Sequence, residues 1–147
     1  MAVHWENVMI VDRPIDEIWA ILVDLFNTPR LPGGSMALRQ TSPGPMALGS
    51  TFEGRRIVLG VETRIRERVI EWDPPNVMAA SIETKAFGAI ERITLVAGAD
   101  GTTCTDVIDG ELRMPLKMIE PLLEPFLRRQ RRAQMRQTKE LLEGGFQ

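Results

Sequence analysis

The stretch VETRIRERVIEW, residues 61–72, decides the fold. Val61, Thr63, Ile65 and Val69 fall on one side of an extended chain, while Glu62, Arg64, Arg66 and Arg68 fall on the other. Successive side chains of a strand point to opposite faces. The segment therefore reads as a strand with one buried face and one wet face, as in an antiparallel sheet packed on one side. Glu67 keeps the period but not the chemistry, because it places a carboxylate in the apolar file.

On either side of this strand the chain, from about Met36 to Leu112, consists of short runs separated by turn signals. These are SPGP at 42–45, LG at 59–60, DPPN at 73–76, FG at 87–88 and DG at 100–101, the signature of an antiparallel meander. Upstream, VHWENVMIVD at 3–12 reads as a first strand. Pro14 then suits a first helical position, with Asp16 and Glu17 favouring the helix dipole. Ile15, Ile18, Trp19, Leu22 and Phe26 recur at helical spacing, which predicts a short helix over 14–26. Downstream of Arg113 the period turns helical again. Pro115 opens a helix reaching about Leu142, with Leu116, Ile119, Leu123, Phe126 and Leu141 along one side and Gly144 and Gly145 ending it. At 1.5 Å per residue such a helix spans about 40 Å, enough to cross a small sheet. The layout is strand, short helix, about six strands, long helix, in a single α+β domain over residues 1–147.

The turns also fix an expected register. A four-residue loop at 73–76 sets Trp72 opposite Val77, Val69 opposite Ala80 and Glu67 opposite Ile82. A connection at 85–88 sets Ile82 opposite Glu91. A two-residue turn at 100–101 sets Glu91 opposite Gly110 and Leu95 opposite Asp106. A tight turn at 59–60 sets Phe52 beside Glu67. Directly opposed residues share a face, so one face collects Phe52, Gly54, Val58, Ile65, Val69, Met78, Ala80, Ile82, Ile93, Leu95, Cys104, Ile108 and Leu112. The same face carries Arg56, Glu67, Glu91 and Asp106. The other face carries the arginines of 61–72, with Arg92 aligned with Asp109 as a solvent-side pair.

The layout resembles the SRPBCC superfamily, the helix-grip fold of START domains, birch-allergen-like proteins and bacterial polyketide cyclase/dehydrase-like proteins. The resemblance covers nearly the whole chain. It rests on VDRPIDEIW at 11–19, LGSTF at 48–52, VIEWDP at 69–74, GTTCT at 101–105 and the closing amphipathic helix. It implies a curved sheet of about seven strands wrapped around the last helix, with a cavity between them for lipids, quinones, polyketides or other apolar molecules. It implies no particular reaction, because one fold hosts many functions. The chain has no tyrosine, and its single histidine lies in the first strand, so cyclases that place such side chains in the cavity are poorly matched.

Charges on an inner face are costly unless paired or wet. Arg56, Glu67, Glu91 and Asp106 are therefore candidate polar anchors for a ligand in a mostly apolar pocket. The alternatives are internal pairing or a place at the wet rim. Two nearby carboxylates can also split their pKa values and act as acid and base. Phe52, Ala80 and Ile82 complete the expected ligand-binding set on the sheet, with Met118, Leu122 and Phe126 on the last helix. Plain core packing is the commoner fate of such a helical stripe. Met36, Met46 and Leu48 form an adaptable entrance or cap the core.

Several chemistries lack their residues. One cysteine, Cys104, excludes an internal disulfide and a multi-cysteine metal cage, and in a β-run it reads as a small buried hydrophobe. His4 has no second ligand at metal spacing and reads as a surface residue of an edge strand. No phosphate-binding glycine loop or nucleophile elbow is present, and neither a cofactor nor a metal is expected. With a net charge of −2, the basic run RRQRR at 128–132 with Arg136 reads as a solvated helix face rather than a nucleic-acid patch. No apolar run approaches the ~18 residues of a membrane span, and no secretory signal opens the chain. The expectation is a cytoplasmic domain without stable membrane insertion, for which a homodimer is possible. It binds a small hydrophobic molecule as carrier, sensor or accessory protein. The alternatives are a cyclase/dehydrase-like enzyme using a cavity carboxylate, and an interaction module with a filled core.

Overall fold

Alternating β-formers and closely spaced turn residues leave the middle of this chain few options besides a meander, and it forms one. The computed structural model describes residues 2–27, 36–58, 61–85 and 87–113. In the last segment it describes residues 125, 128, 129, 132, 133, 135, 136, 139, 140 and 142–144. The elements are β1 (Ala2–Val11), α1 (Ile15–Asn27), β2 (Met36–Gln40), β3 (Thr51–Val58), β4 (Val61–Asp73), β5 (Val77–Glu83), β6 (Phe87–Gly98) and β7 (Gly101–Leu112). They form one curved, antiparallel seven-stranded sheet in the order β1-β7-β6-β5-β4-β3-β2. Each hairpin pairs sequence neighbours, and only β1 crosses to join the last strand.

α1 begins where Pro14 ends the approach. Its carbonyl accepts from Glu17 N at 3.1 Å and Ile18 N at 3.2 Å, forming the first turn. Ile18, Trp19 and Leu22 are buried against the sheet, and Ile15, Ile21 and Val23 pack at the margin. The helix closes one end of the core, which is built on Val11, Phe52, Ile65, Val69, Met78 and Leu95, all at 1% exposure or less.

Of the helix expected over 115–142, residues 115–124 and several later ones lie outside the described residues. The described positions from Pro125 to Gly144 are helical, and Met135 and Leu142 belong to the core cluster. Among the described residues, no helix is long and apolar enough to cross a membrane.

The observed register corrects the expected one in four places. Phe52 does face Glu67, as expected from the tight turn. In β4–β5, Trp72 faces Met78 rather than Val77, because the connection is one residue shorter and Asp73 already pairs with Val77. A bulge between Val69 and Glu71 then restores Val69 to Ala80 and Glu67 to Ile82. Ile82 faces Ala89, not Glu91, because Thr84 closes a tighter turn, its N–H donating to Phe87 O at 2.9 Å. Glu91 faces Ile108 and Leu95 faces Cys104, because the last turn sits at Ala99 and Asp100 rather than one residue later. The last two errors are of two residues, which preserves the face of every side chain; an odd error would invert it. They do break the expected pair of Arg92 and Asp109. Arg92 instead bonds Glu71 at 2.8 Å, and Asp109 bonds His4.

Gly101 shows why that turn is fixed. Its φ is +122°, and a Cβ built there would stand 2.2 Å from Val11 O. Only glycine tolerates both the angle and the approach. Beside it, the fully buried Thr102 donates its hydroxyl to Arg13 O at 2.7 Å, tying β7 to the β1–α1 junction.

Candidate functional site

Odd-numbered residues of β4 point inward as far as Val69. Rows of directly opposed residues then run across the sheet on its concave side. One row is Phe52, Glu67, Ile82, Ala89, Gly110 and Val3. The next is Val69, Ala80, Glu91, Ile108 and Trp5, and the one after it Trp72, Met78, Ile93, Asp106 and Asn7. The concave face is thus an apolar floor with three acidic side chains set in successive rows.

Glu67 is the most enclosed of these, at 6% exposure between Phe52 at 1% and Ile82 at 4%. Glu91 and Asp106 are half-buried. All three take part in interactions within the chain. Asp106 and Glu91 are diagonal neighbours on adjacent strands, because Glu91 faces Ile108. Diagonal positions lie about 7–8 Å apart, within reach of long side chains. Glu67 stands two strands from Glu91 and one row away, roughly 12 Å at normal strand spacing and rise. The sheet therefore brings Glu91 and Asp106 together and sets Glu67 apart, beside Phe52.

The other expected site residues divide clearly. Ala80, at 4% exposure, lies in the floor directly opposite Glu91. Arg56 pairs through its backbone with Thr63 and Met36; its side chain lies outside the described residues. Met118, Leu122 and Phe126 also lie outside them. Met46 is buried in the core cluster, whereas Leu48 is 66% exposed.

Several residues that sequence reading did not place join this face, Trp72 and the β1 residues Val3, Trp5 and Asn7 among them. Trp72 reaches it because the bulge at Ile70 switches the inward positions of β4 from odd to even. There Trp72 meets Trp19 of α1 edge to face, with ring centroids 5.1 Å apart. The available sign was the pair of apolar side chains, Ile70 and Trp72, at even positions after an odd-numbered file. Val3, Trp5 and Asn7 were legible only once β1 was known to pair with β7.

A depression of about 380 Å³ forms over β3, β4 and β5. Its rows Glu53, Arg66, Glu83 and Thr51, Arg68, Ser81 belong to the wet face, and Thr41, Phe52 and Glu67 line it as well, so it is a mainly polar depression that reaches the Phe52–Glu67 row. Cys104 is buried, and burial pushes its thiol up to about 11, which keeps it protonated and un-nucleophilic at neutral pH. Among the described residues, no group of three or more His, Cys, Asp or Glu is placed to hold a metal ion.

Solved structures share this architecture. Zhui aromatase/cyclase from Streptomyces sp. R1128 superposes with a TM-score of 0.71 at 15% identity, over 97% of this chain and 96% of its own. The protein TTHA0849 from Thermus thermophilus gives 0.74 at 14% identity, over 97% of each chain. Ara h 8.0201 gives 0.71 at 9% identity, over 99% and 100%. At such identities the likeness is one of fold. No curated protein matches the chain. The family model described as polyketide cyclase / dehydrase and lipid transport matches residues 2–143. The chain thus belongs to that family, within the SRPBCC superfamily that its strand order and short first helix already indicated.

Proposed function

We propose that this protein binds a small hydrophobic molecule between the concave face of the sheet and the C-terminal helix, as a carrier, sensor or accessory protein. The observation that carries the reading is the enclosure of Glu67 among apolar neighbours. A carboxylate at 6% exposure between Phe52 and Ile82, held by an interaction within the chain, sets a polar group in an apolar wall, and a mostly apolar wall with a few polar groups is the usual make-up of a small-molecule site. Phe52, Ala80 and Ile82 supply the apolar contacts. Glu67, Glu91 and Arg56 fix the ligand's polar groups, and Met118, Leu122 and Phe126 close the site from the helix. The family's description, which includes lipid transport, supports the same reading.

One observation favours a second reading. Glu91 and Asp106 are diagonal neighbours on the same face, and two carboxylates at that spacing can divide the roles of proton donor and acceptor. A cyclase/dehydrase-like reaction on a bound carbonyl compound would use them, provided one came within about 3 Å of the moving proton.

Native mass spectrometry of gently purified protein tests the first reading. A retained small molecule, released by organic solvent and partitioning into it, is the expected result. Protein that retains nothing and binds no apolar fluorophore in titration points instead to an interaction module with a filled core.

A further inference from the structure

The net charge of −2 hides a local concentration of positive charge. Between Pro125 and Lys139 the sequence holds five arginines and no acidic residue. Arg128, Arg132 and Arg136 repeat every four residues on described helical positions, so they lie along one flank, about 12 Å from first to last at helical rise. Arg129 joins them, and all four are exposed. With Pro125 and Ala133 they line a groove of about 780 Å³. Among the described residues, Arg129, Arg132 and Arg136 form no ion pair. On the sheet, Arg55 and Arg92 are held by Glu62 and Glu71, whereas the exposed Arg64, Arg66 and Arg68 stand in one strand among acidic residues of the neighbouring strands, Glu53 and Glu83 facing Arg66.

We propose that this arginine groove docks the protein on a surface of anionic lipid headgroups. The inference stands apart from the cavity and does not depend on what the cavity holds. Guanidinium groups match phosphate oxygens in pairs, and a cluster of four or more on one helix face is the pattern that anionic bilayers attract. A plane touches only this flank, so the net negative remainder of the chain is not brought against it. A nucleic-acid strand fits less well: the described lining has no aromatic ring on which a base could stack.

The test is co-sedimentation with vesicles of phosphatidylcholine alone and of phosphatidylcholine with one third phosphatidylglycerol. The protein should bind only the second, and binding should weaken steeply with salt. R129A/R132A/R136A should lower the partition coefficient roughly a hundredfold, whereas R129K/R132K/R136K should retain most of it. R64A/R66A/R68A removes the same charge from the sheet and should change little. Circular dichroism establishes that each variant is folded; should the alanine variant not fold, the single R132E in the same assay replaces it. No association with anionic vesicles, equal binding to neutral ones, or equal loss in the helix and sheet variants overturns the proposal. Retention of a single-stranded oligonucleotide without vesicle binding overturns it in favour of nucleic acid.

Discussion

Phe52 and Glu67 face each other across the β3–β4 ladder on the concave side of the sheet, exposed by 1% and 6%. A phenyl ring and a carboxylate share one enclosed row. If Glu67 anchors a ligand, Glu67→Gln should weaken its binding by on the order of 1.5–3 kcal/mol, the scale of a hydrogen bond to a charged group. The melting temperature should hold, since glutamine keeps the shape and an accepting oxygen for the interaction Glu67 makes within the chain. Calorimetric titration and thermal unfolding of one preparation separate the outcomes. A lower melting temperature with unchanged affinity would make the interaction within the chain Glu67's whole role and remove it from the site.

Ala80 is the smallest side chain in the row it shares with Val69 and Glu91. Ala80→Phe should fill the space above the sheet floor and abolish uptake of an apolar fluorophore. Its stability cost should be about 1–3 kcal/mol, typical of overpacking. Full affinity in a folded variant places the ligand elsewhere.

From β3 to β7 the face of nearly every residue was legible in the sequence, because faces depend only on parity. A turn misplaced by one residue shifts the register by two, which moved Glu91 from Gly110 to Ile108 and left it pointing inward. Trp72 was different. A turn one residue shorter and a bulge at Ile70 are each odd steps, and their cancellation left Glu67 and Val69 correct while Trp72 moved to the inner face and Glu71 to the outer one. The pairing of exposed charges depended on true register, so the bonds of Arg92 to Glu71 and Asp109 to His4 were missed. What approaches the concave face from the last helix was not legible as geometry, since a helical stripe specifies burial without specifying a cavity.

His4 is the only histidine, so its titration can be followed without assignment. Its pKa is raised above 6.5, first by the hydrogen bond to Asp109 and then by that residue's charge. A raised histidine contributes stability that is fully present below 6.5 and is lost as pH rises through the folded value. The pair is exposed at the sheet edge, so the effect on melting should be small. Asp109→Asn should bring the NMR midpoint down toward 6.5. A midpoint that does not move would mean that His4 and Asp109 do not interact in solution.

The bulge at Ile70 turns Trp72 inward onto Trp19, and this packing fastens α1 to the sheet. An edge-to-face pair adds about 0.5–1.5 kcal/mol beyond area burial. Trp72→Phe should therefore cost little more than that, while Trp72→Ala should cost about 3 kcal/mol, near the lower end for removing a tryptophan because the ring is only half-buried. The near-ultraviolet circular dichroism of the pair should vanish in both variants. If β4 ran without a bulge, Trp72 would face water on the arginine side. Trp72→Ala would then be nearly silent in melting, and the Trp19 signal would persist. Trp5→Ala, in the row of Ala80 and Glu91, serves as the comparison, because it removes a half-buried indole that forms no ring pair with Trp19. Loss of the near-ultraviolet signal in Trp5→Ala rather than in Trp72→Ala would contradict the bulge.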